Sequence, residues 1–191
     1  MSKVRRRRTR ALRDKLAKGL GRRALVRVSR SIRGSDTVEG FVVTVGDEWL
    51  LLAVLAPTIH FDGYTALRLR DLAEVELLDA QEGFVGRALK ARGEWPPVRV
   101  EVPLDDVADL IQGAASVAPL VTLHLEKDDP TVCHVGRPTR LTRRRVHLLD
   151  ITPSAQWRDR PRRWALSTIT RVDFGGQYEQ ALSLVGGEPP S

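Results

Sequence analysis

Along the chain, apolar and polar positions mostly alternate with period two over short runs, the signature of half-buried β-strands. Two stretches break into helical spacing instead. Leu12, Leu16 and Leu20 recur at i+4, with Thr9 as a candidate N-cap and Gly21 as a stop. Farther on, "LDDVADLIQGAA" sets Leu104, Val107, Ala108, Leu110 and Ile111 on one helical face. After the first helix the pattern predicts a strand over residues 24–32. Two more span residues 40–56, folded at Gly46-Asp47-Glu48. A fourth covers residues 64–78, and "EGFVGRALKA" is expected as a fifth. After the second helix come strands over residues 120–126, 131–141, 145–151 and 162–174, with a polar insertion at 153–161. "YEQALSLV" is expected as the last strand, or as a helical turn over residues 178–183.

The order is therefore a helix and five strands, used twice. Gly40 matches Gly136, and Leu50 and Leu52 match Val146 and Leu148, at a spacing of 96. Leu72 and Val75 match Ile169 and Val172 at 97, which needs one inserted residue. The near-rhyme of "RDLAEVE" (70–76) with "STITRVD" (167–173) reads as one fourth strand, repeated. Each half is small enough to be marginal alone and would gain by packing on its twin.

Those features resemble the Sm-like (LSm) fold: the glycine in the second strand (Gly40, Gly136), the apolar third strand, and the fourth strand closing into the turn "DFGGQY". "KDDPTVCHVGRP", "LLDITPSAQW" and "STITRVDFGGQYEQAL", with "FDGYTALRLRDLAEVE", also resemble an uncharacterised bacterial protein family. That second resemblance implies a fold and no chemistry. The expected class is mostly β, as two tandem five-stranded Sm-like open barrels, each preceded by a short helix. The expected division is a basic disordered arm (1–8), a first unit (9–93), a Pro-rich connector (94–103) and a second unit (104–191). Sm-like proteins generally form rings; a tandem with its own closing strands is expected as a two-barrel monomer or a smaller assembly. In that family, RNA sites use an Asp and an Asn between the second and third strands, and an Arg-Gly before the fifth. Here Asp47 stands for the acid and no Asn accompanies it. The matching turn of the second half is Thr142-Arg143-Arg144-Arg145. Asp79-Ala80-Gln81-Glu82 and Gly175-Gly176 stand in place of Arg-Gly.

Charge divides the chain unevenly. The net charge is +7. Residues 1–33 hold 14 Lys/Arg against one acid, Asp14, while the remainder holds 17 against 23. The N-terminal stretch is thus +13 and the rest −6. Arg5, Arg6, Arg7, Arg8 and Arg10 are candidates to neutralise phosphates, and Arg143, Arg144 and Arg145 extend the basic surface. Trp157 and Trp164 lie among the second group, where an exposed ring stacks bases and a buried one is core.

The single cysteine, Cys133, rules out an internal disulfide and suits a reducing cytoplasm. The longest apolar run, "WLLLAVLA", is too short to span a bilayer. His124, Cys133 and His134 are too few for a structural zinc site, and no metal or cofactor is expected. No Walker loop, dinucleotide fingerprint or nucleophile elbow is present. The expected role is non-catalytic: low-specificity binding of RNA or other nucleic acid in the cytoplasm. The alternative is a protein–protein interaction module or regulatory subunit, using the edge strands that open barrels expose.

Overall fold

The computed structural model describes the backbone of residues 3–78 and 83–190, and the side chains of residues 10–78 and 83–190. Helix α1 (Lys3–Arg22) leads into β1 (Leu25–Arg30), β2 (Val38–Val45), β3 (Trp49–Leu55), β4 (Phe61–Arg68) and β5 (Leu72–Leu78), followed by α2 (Phe84–Ala91). After the connector come α3 (Val107–Val117), β6 (Val121–His124), β7 (Cys133–Leu141), β8 (Arg145–Asp150), β9 (Arg162–Ala165), β10 (Arg171–Phe174) and α4 (Gln177–Gly186). All ten strands pair antiparallel in one open sheet, in the order β5-β1-β2-β3-β4-β10-β6-β7-β8-β9. The chain is mostly β, with a helix and five strands used twice. No helix among the described residues is long and apolar enough to cross a membrane.

Four expectations are corrected. The first helix starts at Lys3, so residues 3–8 are helical rather than a disordered arm. Arginine is a good helix former, and a helix anchored by the fully buried Leu16 extends at little cost through such residues. The runs 64–78 and 162–174 are each broken by a 3-10 turn, Leu69–Asp71 and Leu166–Thr168. The repeated "LAEVE" and the "RVD" of "ITRVD" therefore lie in the fifth strand of each half, not the fourth. Within "EGFVGRALKA", Phe84–Ala91 form α2 instead of a strand, and Leu89 is buried from it. Of the two readings of "YEQALSLV", the helical one holds: it lies in α4, with Leu182 buried and Leu184 and Val185 left outside. In the second helix, Asp106 is the N-cap, accepting from the Ala108 and Asp109 N–H groups; Leu104 precedes the helix.

The two halves match in register as well as in order. Gly40 sits opposite Val54 and Gly136 opposite Asp150. At each, a Cβ would collide with the facing strand's carbonyl, of Ala53 or Leu149, so only glycine fits. A bulge follows in both halves, between Val42 and Thr44 and between Pro138 and Arg140. Trp49 pairs with Arg68 as Arg145 pairs with Ala165, and Val28 with Val75 as Leu123 with Val172.

Apolar side chains fill two main cores. One lies beneath α1, where Leu16 meets Val26, Val28, Leu50, Leu52, Leu67 and Val75. The other joins Leu110, Ile111, Val121, Leu123, Val146, Leu148 and Val172 of the second half to Trp49, Leu51, Ala53 and Ala66 of the first. β3 is thus buried on both faces, which explains the unbroken apolar run "WLLLAVLA".

Charged groups also cross the junction. The Arg30 guanidinium meets the Glu126 carboxylate, both essentially fully buried, and the Thr170 hydroxyl donates to Glu126 at 2.7 Å. Arg68 and Lys127 both reach Asp71. Asp173 accepts from the Thr65 hydroxyl of the other half, and pairs with Arg171 and His124.

Candidate nucleic-acid interface

β-strand register decides which arginines share a face. Arg140 pairs with His147, and His147 with Arg163, so three adjacent strands put these side chains in one row. Arg145 stands two residues along β8 on the same side. Val146 and Leu148 point the other way, into the core. Arg140, Arg145 and Arg163 are exposed and His147 half-buried.

The β7–β8 turn extends this face. The Thr142 N–H donates to the Arg145 carbonyl at 2.9 Å, and the Arg145 N–H to the Thr142 hydroxyl at 3.0 Å. That closure holds Arg143 and Arg144 at the tip, both exposed. No described residue forms an ion pair or side-chain hydrogen bond with the guanidinium groups of Arg140, Arg143, Arg144, Arg145 or Arg163. Other arginines are engaged: Arg27 with Glu39 and Glu76, Arg137 with Glu188, and Arg162 with Asp150 at 3.6 Å.

Arg143, Arg144 and Arg145 are therefore brought together with Arg140 and Arg163, while Arg10 lies elsewhere. Arg10 is exposed on α1, which packs on β1, β2 and β5, at the opposite end of the strand order. Arg5, Arg6, Arg7 and Arg8 lie in the backbone of α1; their side chains fall outside the described residues. The row through His147 was hidden in the sequence, because which arginines share a face depends on the bulge at Thr139.

Neither tryptophan offers a free stacking surface. Trp157 donates from Nε1 to the Gly186 carbonyl at 3.1 Å and packs with Ile151 and Leu182. Trp164 has His134 stacked at 3.9 Å and the Arg162 guanidinium 4.6 Å from its ring centre. Burial, with the charges of Arg162 and His124, pushes the His134 imidazole down to about 4. Burial lifts the Asp150 carboxyl, and the charges of Arg162 and Arg158 only partly offset it. For Asp173, burial alone would raise the carboxyl. The charges of Arg171 and His124 and their hydrogen bonds win, and hold it far below the usual carboxylate range.

In the first half, the turn matching the arginine turn is tied down. Arg13 donates to the Gly46 carbonyl at 3.0 Å and also to the Asp47 carbonyl, and the Asp47 N–H donates to Asp105 at 2.6 Å. The Asp47 carboxylate, set against the acid of the Sm-like RNA site, lies 3.4 Å from Arg13. Segment 79–82 lies outside the described residues and follows the fifth strand, so it does not occupy the Arg-Gly position. The turns before the fifth strands hold Leu69-Arg70-Asp71 and Leu166-Ser167-Thr168. Among the described residues, no cluster of three or more His, Cys, Asp or Glu could hold a metal ion. Compared with protein-family models, with curated proteins and with solved structures, the chain matches none.

Proposed function

We propose that this chain is a non-catalytic nucleic-acid-binding protein built from two Sm-like barrels in tandem, working in the cytoplasm. The observation that carries the binding reading is the free arginine face. Five exposed guanidinium groups share one row and one turn with no counter-charge among the described residues. The buried Arg30 and Arg68 each meet a carboxylate, whereas these five stand open to an external anion. Contacts of this kind go to phosphates, so binding is strong at low salt and nearly blind to sequence. The matching glycines, bulges and 3-10 turns of the two halves support the tandem-barrel reading. The basic residues of α1 add a second, separate source of positive field.

The test is the binding of fluorescent single-stranded RNA, and of duplex DNA, across a salt series. Wild-type affinity should fall steeply with salt. In R143A/R144A/R145A the slope of log K against log salt should lessen by about 2 to 3, since each lost phosphate contact removes about 0.7 to 0.9. Equal slopes for wild type and variant would refute this interface. Absence of binding at low salt, with a protein recovered from nuclease-treated lysate, would favour the interaction-module reading instead.

A further inference from the structure

Because the halves agree in register, the outer face of one can be set against that of the other, position by position. Trp49 corresponds to Arg145, Leu51 to His147, Ala66 to Arg163 and Val43 to Thr139. In the first half this face is buried. It shares a core with Val102 of the connector, with Leu104 and with the inner strands of the second half, and β10 pairs on the β4 edge. The β9 edge is the counterpart of β4, and β5 is the counterpart of β10. The backbone thus offers the same junction again, between β9 of one copy and β5 of another.

The side chains refuse it. The face to be covered carries Arg145, His147 and Arg163 in place of Trp49, Leu51 and Ala66. Docking would set Arg163 opposite the apolar Val75 and take these cations out of water, a cost that strand pairing does not repay. Both edges carry further guards. Pro161, the counterpart of Tyr64, has no N–H to donate where Tyr64 pairs with Phe174. On β5, the Lys15 ammonium donates to the Val75 carbonyl at 3.1 Å; Val75 is the counterpart of Val172, which sits opposite Ala66 in the internal junction. A short edge strand, a proline and an edge lysine are recognised ways to stop sheets from joining.

We propose that the arginine face terminates the repeat: it keeps a second copy of this chain off the β9 edge and leaves that face to a polyanion. The first clause stands without the nucleic-acid reading; the second rests on it. The test gives the second half the residues of the first, as R145W/H147L/P161Y/R163A, with and without K15A. Sedimentation velocity is run on nuclease-treated protein over a concentration series. Wild type should remain a single chain at all salt concentrations, and the variant should form concentration-dependent oligomers, more readily with K15A. A folded variant that stays monomeric overturns the proposal. So does a wild-type chain that associates and is returned to monomer by R163P. If the fourfold variant does not fold, R145L/R163A gives the same reading. Oligonucleotide binding is measured on the same wild-type sample. A monomer that binds none keeps the first clause and removes the second.

Discussion

The outer faces of the two halves have the same backbone and opposite chemistry. In the first, Trp49, Leu51 and Ala66 are at most 1% exposed and belong to the larger core. In the second, the matching positions hold Arg145, His147 and Arg163, of which the two arginines are exposed. A repeat needs one face to join its twin and another to stop. Position-matched residues show where the sheet grows and where it ends, which neither half shows alone.

Breaking the comparison should have its largest effect where a second-half residue enters the first half. Trp49→Arg removes a buried ring, about 3 to 5 kcal/mol, and buries a cation that costs several more. That exceeds or equals the whole stability of many domains of this size, so the variant should fail to fold by circular dichroism. The reverse change, Arg145→Trp, should shift the urea midpoint little. Next in size is Glu126→Ala, which strands the buried Arg30. It should cost about 3 to 5 kcal/mol in urea unfolding, whereas Arg163→Ala on the free face should stay within about 0.5 kcal/mol. Equal costs would mean that the buried pairs and the exposed arginines do not differ as described.

The smallest effect is in pH. The folded His134 binds its proton only near pH 4, whereas the unfolded chain does so near the ordinary histidine value of about 6.5. The unfolded state takes up more protons in that window, so stability falls as pH drops from about 6.5 towards 4. His134→Phe keeps a ring on Trp164 and should flatten that part of the pH–stability curve. An unchanged curve would show that His134 titrates normally.

Much of this fold could be read from the sequence. The spacing of 96 between Gly40 and Gly136 located both halves, and period-two alternation located six of the ten described strands singly and the other four as two unbroken runs. The 3-10 turn at Leu69-Arg70-Asp71 marks the sequence only by Asp71 and Leu72 exchanging apolar and polar phase, after which Ala73, Val75 and Leu77 resume it, so the run reads as one strand. α2 was misread, and α4 was left open between strand and helical turn, because eight to ten residues with a few apolar positions satisfy either period. The β4–β10 junction and the Arg30–Glu126 pair depend on contacts between residues about a hundred positions apart, which local pattern does not carry. At the site, the arginines of residues 143–145 were visible as composition, but Arg140 and Arg163 joined them only through the register. The N-terminal arginines looked like a detachable arm. Leu16 ties their helix into the core, so deleting residues 1–23 would damage the fold rather than isolate its charge.

The most direct measurement compares three full-length proteins in one salt series with one labelled single-stranded RNA: wild type, R5Q/R6Q/R7Q/R8Q, and R140A/R145A/R163A. The account predicts that removing the row across β7, β8 and β9 lowers both the affinity at low salt and the salt slope, by about 2. The N-terminal variant should keep the larger part of the binding. If the row variant binds with the wild-type slope and the N-terminal variant loses binding, the arginine face is a solvated surface and the central claim fails.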